Sequence, residues 1–191
     1  MIVIGIDATS IVDGGGFTHL SQFFINYLKV NQQSTHQMNI YASKKVLDQL
    51  PEHPKFLKRN FSYLNKYRFH RIFFQSFLFD KILKKECDIL FSVTENYIGD
   101  FRPSIGMSHN IMLYEREFRK EINNYKEKGK FYFNFKRQHK CFRNAEGIIF
   151  LSQYVKNYIT KALNIKDKNI AIIYYGILNQ FLTDNIEIKP L

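Results

Sequence analysis

The sequence predicts an α/β fold, a Rossmann-like open sheet of about seven mostly parallel strands with helices on both faces. Three observations predict it. Short β-branched or apolar runs alternate with segments of helical periodicity, the pattern of repeated strand–helix–strand units. The runs Gly147-Ile148-Ile149-Phe150-Leu151 and Ile170-Ala171-Ile172-Ile173 are near-continuously apolar, as strands buried on both faces require. A glycine cluster, Gly14–Gly16, separates the first apolar run from the first helical segment.

Taken in order, Ile2–Ile6 reads as a buried first strand, followed by the glycine loop and a helix with Leu20, Phe23, Phe24, Tyr27 and Leu28 on its apolar side. Met38–Ala42 reads as a second strand, with a short helix through Val46, Leu47 and Leu50. Pro51 and Pro54 then punctuate the chain ahead of a third strand around Lys55–Phe61. Arg68–Lys85 has the pattern of one strong helix. Asp88–Val93 and Ser104–Ser108 read as strands. A long charged helix is expected from about Glu117 to Asn144, with a break near Gly129. Gly147–Leu151 is a strand, Gln153–Leu163 a helix and Asn169–Tyr174 the last strand. Residues 1–176 are expected to form one domain, and 177–191, which lose regular pattern and reach Pro190-Leu191, an interdomain linker or tail.

The chain has 191 residues and 45% hydrophobic content, enough for a domain with a real core. Its formal charge of +11 is unevenly spread. Residues 44–86 hold eleven Lys/Arg against four acids, and residues 116–143 ten against three. Such segments imply an anionic partner: nucleic acid, anionic lipid or a phosphorylated substrate. No helix-turn-helix, zinc-finger or RNA-binding signature accompanies the charge, so no nucleic-acid partner is expected. Cys87 and Cys141 lack metal-ligand spacing and read as free thiols, with no metal site expected. The opening Met1–Asp7 lacks the basic region and long apolar stretch of a signal peptide, and no run of about 18 apolar residues exists. The expected location is the cytoplasm, or the cytoplasmic face of a membrane as a peripheral protein.

Four constellations could carry chemistry. Gly14, Gly15 and Gly16, between strand and helix, let a backbone approach a ligand and offer N–H groups at the helix's positive end. The cluster is neither GxGxxG nor a P-loop, and a plain glycine turn explains it equally well. Met107-Ser108-His109-Asn110 ends a strand where open α/β sheets bind ligands, so His109 is a candidate to contact a substrate; capping the strand is the alternative. His19 lies in the first turn after the glycines and is the other histidine of interest. Ser152, at the passage from strand to helix, suits an N-cap, and Gly-x-Ser-x-Gly is absent. Lastly, Lys66–Glu86 carries apolar residues around most of its circumference while Lys66, Arg68, Arg71, Lys81, Lys84 and Lys85 crowd its ends. A buried core helix explains the middle; a membrane-surface helix explains both middle and ends.

Three segments, in order, resemble the amino-terminal, acceptor-side domain of retaining glycosyltransferases of the GT-B fold, the large family-4 group. IGIDATSIVDGGGFTHLSQFFINYL, residues 4–28, is similar to the family's opening strand, glycine loop and first helix. DILFSVTENYIGDFRPSIGMSHNIM, residues 88–112, resembles its strand–loop–strand unit ending in a His-Asp step. AEGIIFLSQYVKNYITKALNIKDKNIAIIYYGI, residues 145–177, resembles its stretch from an Ala-Asp-x-Ile-Ile strand to an Asn-Gly-Ile-Asp hinge. The resemblance implies half of a GT-B enzyme. That enzyme moves a sugar, with retention, from a nucleotide-diphosphate donor to a glycan or lipid-linked acceptor, with the nucleotide sugar as co-substrate and no further cofactor.

It also implies that Gly14, Gly15 and Gly16 approach the donor diphosphate, that His109 is the catalytic-site histidine beside the transferred sugar, and that Asn110 and Ser152, the latter the cap of a helix facing the cleft, join the glycines as substrate- or diphosphate-binding residues. Asn110 stands where Asp is common, and Tyr175 and Leu178 replace the residues expected around Gly176. The family's donor-binding second domain, with its Arg/Lys pair and Glu-x7-Glu step, has no counterpart here, and Glu115 and Glu117 are too close together to replace it. A separate carboxyl-terminal domain is therefore an expected partner, and the chain alone is expected to be inactive. The alternative is a non-catalytic transferase half that binds a membrane or a protein partner.

Overall fold

The computed structural model describes residues 1–30, 35–109, 111–166, 168–174 and 176, with backbone only at 116 and 119. Strand β1 (Val3–Asp7) leads through α1 (Gly14–Val30) to β2 (Gln37–Tyr41), then through the single turn α2 (Lys44–Leu47) to β3 (Phe56–Arg59). A 3-10 turn at Ser62–Asn65 precedes α3 (Arg68–Phe77) and α4 (Phe79–Glu86). The rest comprises β4 (Ile89–Ser92), β5 (Ser104–Ser108), α5 (Arg116–Glu121), α6 (Tyr125–Asn144), β6 (Gly147–Phe150), α7 (Gln153–Leu163) and β7 (Asn169–Ile172).

The seven strands form one sheet in the order β3-β2-β1-β4-β5-β6-β7, and every pairing is parallel. The predicted open Rossmann-like sheet is present, wholly rather than mostly parallel. The chain builds outward from β1 to β3 and then returns to place β4 on the other side of β1. This reversal opens a crevice beyond the carboxyl ends of β1 and β4, where Asp7 lies opposite Ser92.

Both faces of the sheet are covered. On one, Ile6, Met38 and Ile40 join Leu20 and Phe24 of α1. On the other, Tyr41 and Leu90 join Phe74 of α3 with Phe79 and Leu83 of α4. Ile148 and Phe150 of β6 share a third cluster with Phe142 of α6 and Ile159 of α7. Burial on both sides is why β1 and β6 read as unbroken apolar runs.

Four expectations need correction. Residues 68–85 are two helices, parted at Leu78 (φ −114°, ψ −36°). Phe74 and Phe79 are five residues apart, which would set them about 140° apart around a continuous helix. With the break, both enter one cluster with ring centroids 5.4 Å apart. The middle of this segment is not a buried stripe either, because Phe69, Phe73 and Phe77 are 65%, 46% and 64% exposed. Residues 117–144 divide at Asn124 rather than Gly129. The Asn124 side chain accepts the Lys126 N–H at 2.9 Å and caps α6, a more specific start signal than a glycine inside the helix.

Strand β7 does not share the burial of β6. It closes the edge of the sheet, and Ala171 and Ile173 are exposed. Finally, Gly14–Gly16 form the first turn of α1 instead of a loop ahead of it.

The break at Leu78 gives a direct test. Phe79→Ala should cost about 3–5 kcal/mol in urea denaturation, the usual penalty for emptying a buried aromatic site. Phe77→Ala, two residues earlier, should stay within about 0.5 kcal/mol of the wild type.

Candidate functional site

The crevice between β1 and β4 is organised by a carboxyl group with no access to water. Asp7 is fully buried, and its Oδ1 accepts the Thr9 N–H at 3.1 Å and the Thr9 hydroxyl at 2.6 Å. Its Oδ2 accepts the Ser92 hydroxyl at 3.2 Å. Thr9 Oγ1 in turn accepts from Gln75 Nε2 of α3, and Gln75 Oε1 accepts from Arg137 Nη2 of α6. Arg137 also donates to the Asn96 carbonyl at 2.8 Å. Burial raises the Asp7 carboxyl above its ordinary range, against its hydrogen bonds from Thr9 and Ser92 and the charge of Arg137. One chain of contacts thus joins the ends of β1 and β4 to α3 and α6.

Above this network lies a cavity of about 1060 Å³. Gly15, Gly16, Thr18, His19 and Gln22 of α1 form one wall; Thr94, Glu95 and Asn96 after β4 and Met107 and His109 at β5 form the floor and facing wall. Leu151, Ile173, Tyr174 and Gly176 bound its far side. Gly14 makes the entry turn at φ 66°, a conformation open to glycine, and a Cβ at Gly14 or Gly15 would meet nothing within 4 Å. The first-turn N–H groups of a helix have no acceptor within the helix, so α1 presents donors and its positive end to this space. Thr94 Oγ1 is buried with no hydrogen-bond partner among the described residues. It is a polar atom suited to a ligand.

His109 and His19 meet edge-on in the lining of the cavity, with ring centroids 4.9 Å apart. Burial, and then the neighbouring His19, push the His109 imidazole down to about 4, so it is neutral at neutral pH. Burial also lowers His19. Glu95 is the counterpart. Its backbone sits at φ 43°, and its side chain accepts the His109 backbone N–H at 3.0 Å and bonds Gln138. Burial pushes this carboxyl up to about 8, so it is protonated at neutral pH. The cavity therefore combines neutral polar groups that can both donate and accept, which suits sugar hydroxyls and the oxygens of a phosphate.

Gly15, Gly16 and His109 are brought together at this cavity, and Gly14 shapes its entrance. Asn110 lies outside the described residues, as do Tyr175, Leu178 and the tail 177–191. Ser152 caps α7 by accepting the Val155 N–H at 3.2 Å, and Leu151 rather than Ser152 lines the cavity. The six cations of the Lys66–Glu86 segment separate. Arg68 and Arg71 line a second, smaller cavity, whereas Lys66, Lys81, Lys84 and Lys85 are exposed. Sequence reasoning passed over Asp7, Glu95 and Arg137. The signal for Glu95 was a polar step, Thr94-Glu95-Asn96, directly after an apolar strand. Its weight depends on knowing that β4 pairs with β1. Among the described residues no cluster of His, Cys, Asp and Glu could hold a metal ion, and no helix is long and apolar enough to cross a membrane.

No protein-family model matches the sequence, and no curated protein matches it. Among solved structures, the chain is similar to the crystal structure of a glycosyltransferase from Rickettsia africae ESF-5, at 19% identity and a TM-score of 0.40. The match covers 96% of this chain and 46% of the other, so the chain spans less than half the length of that protein.

The protonated carboxyl gives a pH signature. Folded Glu95 keeps its proton to about pH 8, while a carboxyl with the ordinary value of 4.5 has lost it. The folded state therefore binds more protons in that interval, and this group's contribution to stability falls as pH rises through it. His109 acts in the opposite sense, but only between about pH 4 and 6.5. Between pH 6.5 and 8 the wild type should lose on the order of 1–2 kcal/mol relative to Glu95→Gln. Urea denaturation of both proteins at the two pH values measures it, and parallel behaviour would count against a protonated Glu95.

Proposed function

We propose that this chain is the amino-terminal, acceptor-side domain of a retaining GT-B glycosyltransferase of the family-4 type. In this reading it takes part in moving a sugar from a nucleotide-diphosphate donor to a glycan or lipid-linked acceptor. The observation that carries the proposal is the cavity at the β1/β4 switch point, where the glycine turn of α1 and His109 share one lining of polar and apolar groups. An acceptor hydroxyl placed there has the neutral His109 imidazole as a proton acceptor and the protonated Glu95 beside it. The first turn of α1 supplies electrostatic stabilisation for a departing diphosphate.

The charges that would hold a nucleotide diphosphate from the opposite side belong, in this proposal, to a carboxyl-terminal domain. By itself the chain should show no tight binding of a nucleotide-diphosphate sugar in calorimetry. Joined to a donor-binding domain, it should transfer sugar with retention. In that assembled enzyme, Gly15→Leu would place a side chain in the open cavity, so it should leave the unfolding midpoint in place and lower turnover at least tenfold. Unimpaired transfer by a stably folded Gly15→Leu enzyme would sink the assignment of this cavity.

A second reading has its own observation. Tyr67, Phe69, Phe73 and Phe77 are exposed on or beside α3, with Tyr67–Phe69, Tyr63–Phe73 and Phe73–Phe77 in ring contact. Exposed Lys66, Lys81, Lys84 and Lys85 occur on the same stretch. An apolar aromatic patch with neighbouring cations suits an anionic bilayer surface on the cytoplasmic side of a membrane, each cation contributing about 1 kcal/mol. A non-catalytic, membrane-binding transferase half would use this patch alone. In liposome flotation the chain should partition onto anionic vesicles and not neutral ones, and Phe69→Ser/Phe73→Ser should abolish it. Equal partitioning onto both vesicle types would exclude this role.

A further inference from the structure

The smaller cavity, about 350 Å³, adjoins the first: Glu95 and Asn96 belong to the walls of both. Its character is different, because three arginines converge on it. Arg68 and Arg71 come from α3, one turn apart, and Arg137 from α6. Ser10, Gln75 and Asn134 add neutral polar groups. Among the described residues none of these arginines makes an ion pair. Arg68 is held by Asn134 at 2.7 Å, and Arg137 by Gln75 and the Asn96 carbonyl.

Arg137 is only 7% exposed, and its Nε has no hydrogen-bond partner among the described residues; the same is true of Arg71 Nε. A guanidinium cannot shed its proton, and an N–H left buried without an acceptor carries an unrecovered desolvation cost. Burial, and then the repulsion of Arg68, disfavour the Arg137 charge, while the nearby Asp7 attracts it. Glu95, the carboxyl of this wall, is protonated at neutral pH and so cannot neutralise them. Asp7 thus serves Arg137 alone, and among the described residues no acid pairs with Arg68 or Arg71. Guanidinium groups arriving from two helices match a tetrahedral oxyanion with several acceptor oxygens better than a single planar carboxylate.

We propose that this cavity is a phosphate subsite, which holds the phosphoryl group of a phosphorylated acceptor through Arg68, Arg71 and Arg137. The volume exceeds that of one phosphate, and the shared wall at Glu95 and Asn96 lets the group carrying the phosphate extend toward His109. The role as acceptor rests on the transferase reading; the binding of phosphate does not. Inorganic phosphate, a soluble sugar phosphate and a monomeric short-chain phosphatidate share the chemistry the arginines recognise.

Binding of these three probes to residues 1–191 can be followed by amide chemical shifts, with no donor sugar and no transfer reaction. All three should saturate, with shifts centred on α3, α6 and the Thr94–Asn96 loop, and the unphosphorylated sugar should not bind. The tighter of the sugar phosphate and the phosphatidate identifies the source of the phosphate. Arg71→Gln and Arg68→Gln should each weaken phosphate at least tenfold while keeping the wild-type spectrum elsewhere. Lys81→Gln, which removes the same charge from α4, should change affinity by less than twofold. Equal losses in all three variants would reduce the effect to general charge and overturn the subsite, as would the absence of saturable phosphate binding. Because Arg68 and Arg71 are not needed to close the core, a loss of binding in a folded variant reads on the site. The Gly15→Leu chain should still bind inorganic phosphate, so failure of the larger cavity and of the subsite are separately visible.

Discussion

Much of this structure depends on keeping one carboxyl group buried at the end of β1. Asp7 is excluded from water, and its oxygens accept from Thr9 and Ser92. Thr9 is bound by Gln75, and Gln75 by Arg137, so satisfying the carboxyl fixes the loop after β1, the rotation of α3 and the placement of α6. In a low-dielectric interior each pairing in such a network matters, and from Asp7 to Gln75 the pairs are made, with Arg137 Nε left over. The chain of contacts therefore specifies geometry more than it adds stability. The crevice at the switch point has its shape because these elements cannot slide independently.

A division of polarity follows. On the α1 side, His19, His109 and Glu95 are shifted by burial toward their neutral forms, and the space they border carries helix-end dipoles and neutral donors and acceptors. On the α6 side, the arginine that completes the Asp7 chain stands with two more arginines, and among the described residues none of the three makes an ion pair. Two adjoining cavities thus differ in charge although they share Glu95 and Asn96. The protonation state of Glu95 is central to both: ionised, it would neutralise part of one cavity and place a charge in the other.

The 19 phenylalanines of the chain have two uses. Phe24, Phe74, Phe79, Phe142 and Phe150 fill the core, where large rings bury much area with few rotatable bonds. Phe69, Phe73 and Phe77 do not reach it, while the break at Leu78 lets Phe79 join Phe74 in one cluster. Helical continuity was given up for burial of one ring, and a row of phenylalanines was left facing outward.

The element order, the parallel sheet, the helix cap at Ser152 and the pairing of the glycine turn with His109 were legible in the sequence. Apolar periodicity and turn chemistry are local, and the rule that ligands lie beyond strand ends needs only the order of elements. The helix break at Leu78, the cap at Asn124 and the open face of β7 were not legible. Each is decided by what the segment packs against, or by having no neighbour at the sheet's edge. The same holds for Asp7, Glu95 and Arg137. Composition shows one acid in an apolar strand, one in a loop and one cation among ten in a basic segment. Only the tertiary structure, by removing water and bringing residues 7, 75 and 137 into one chain of contacts, makes the first a scaffold, keeps the proton on the second and sets the third in a cavity wall.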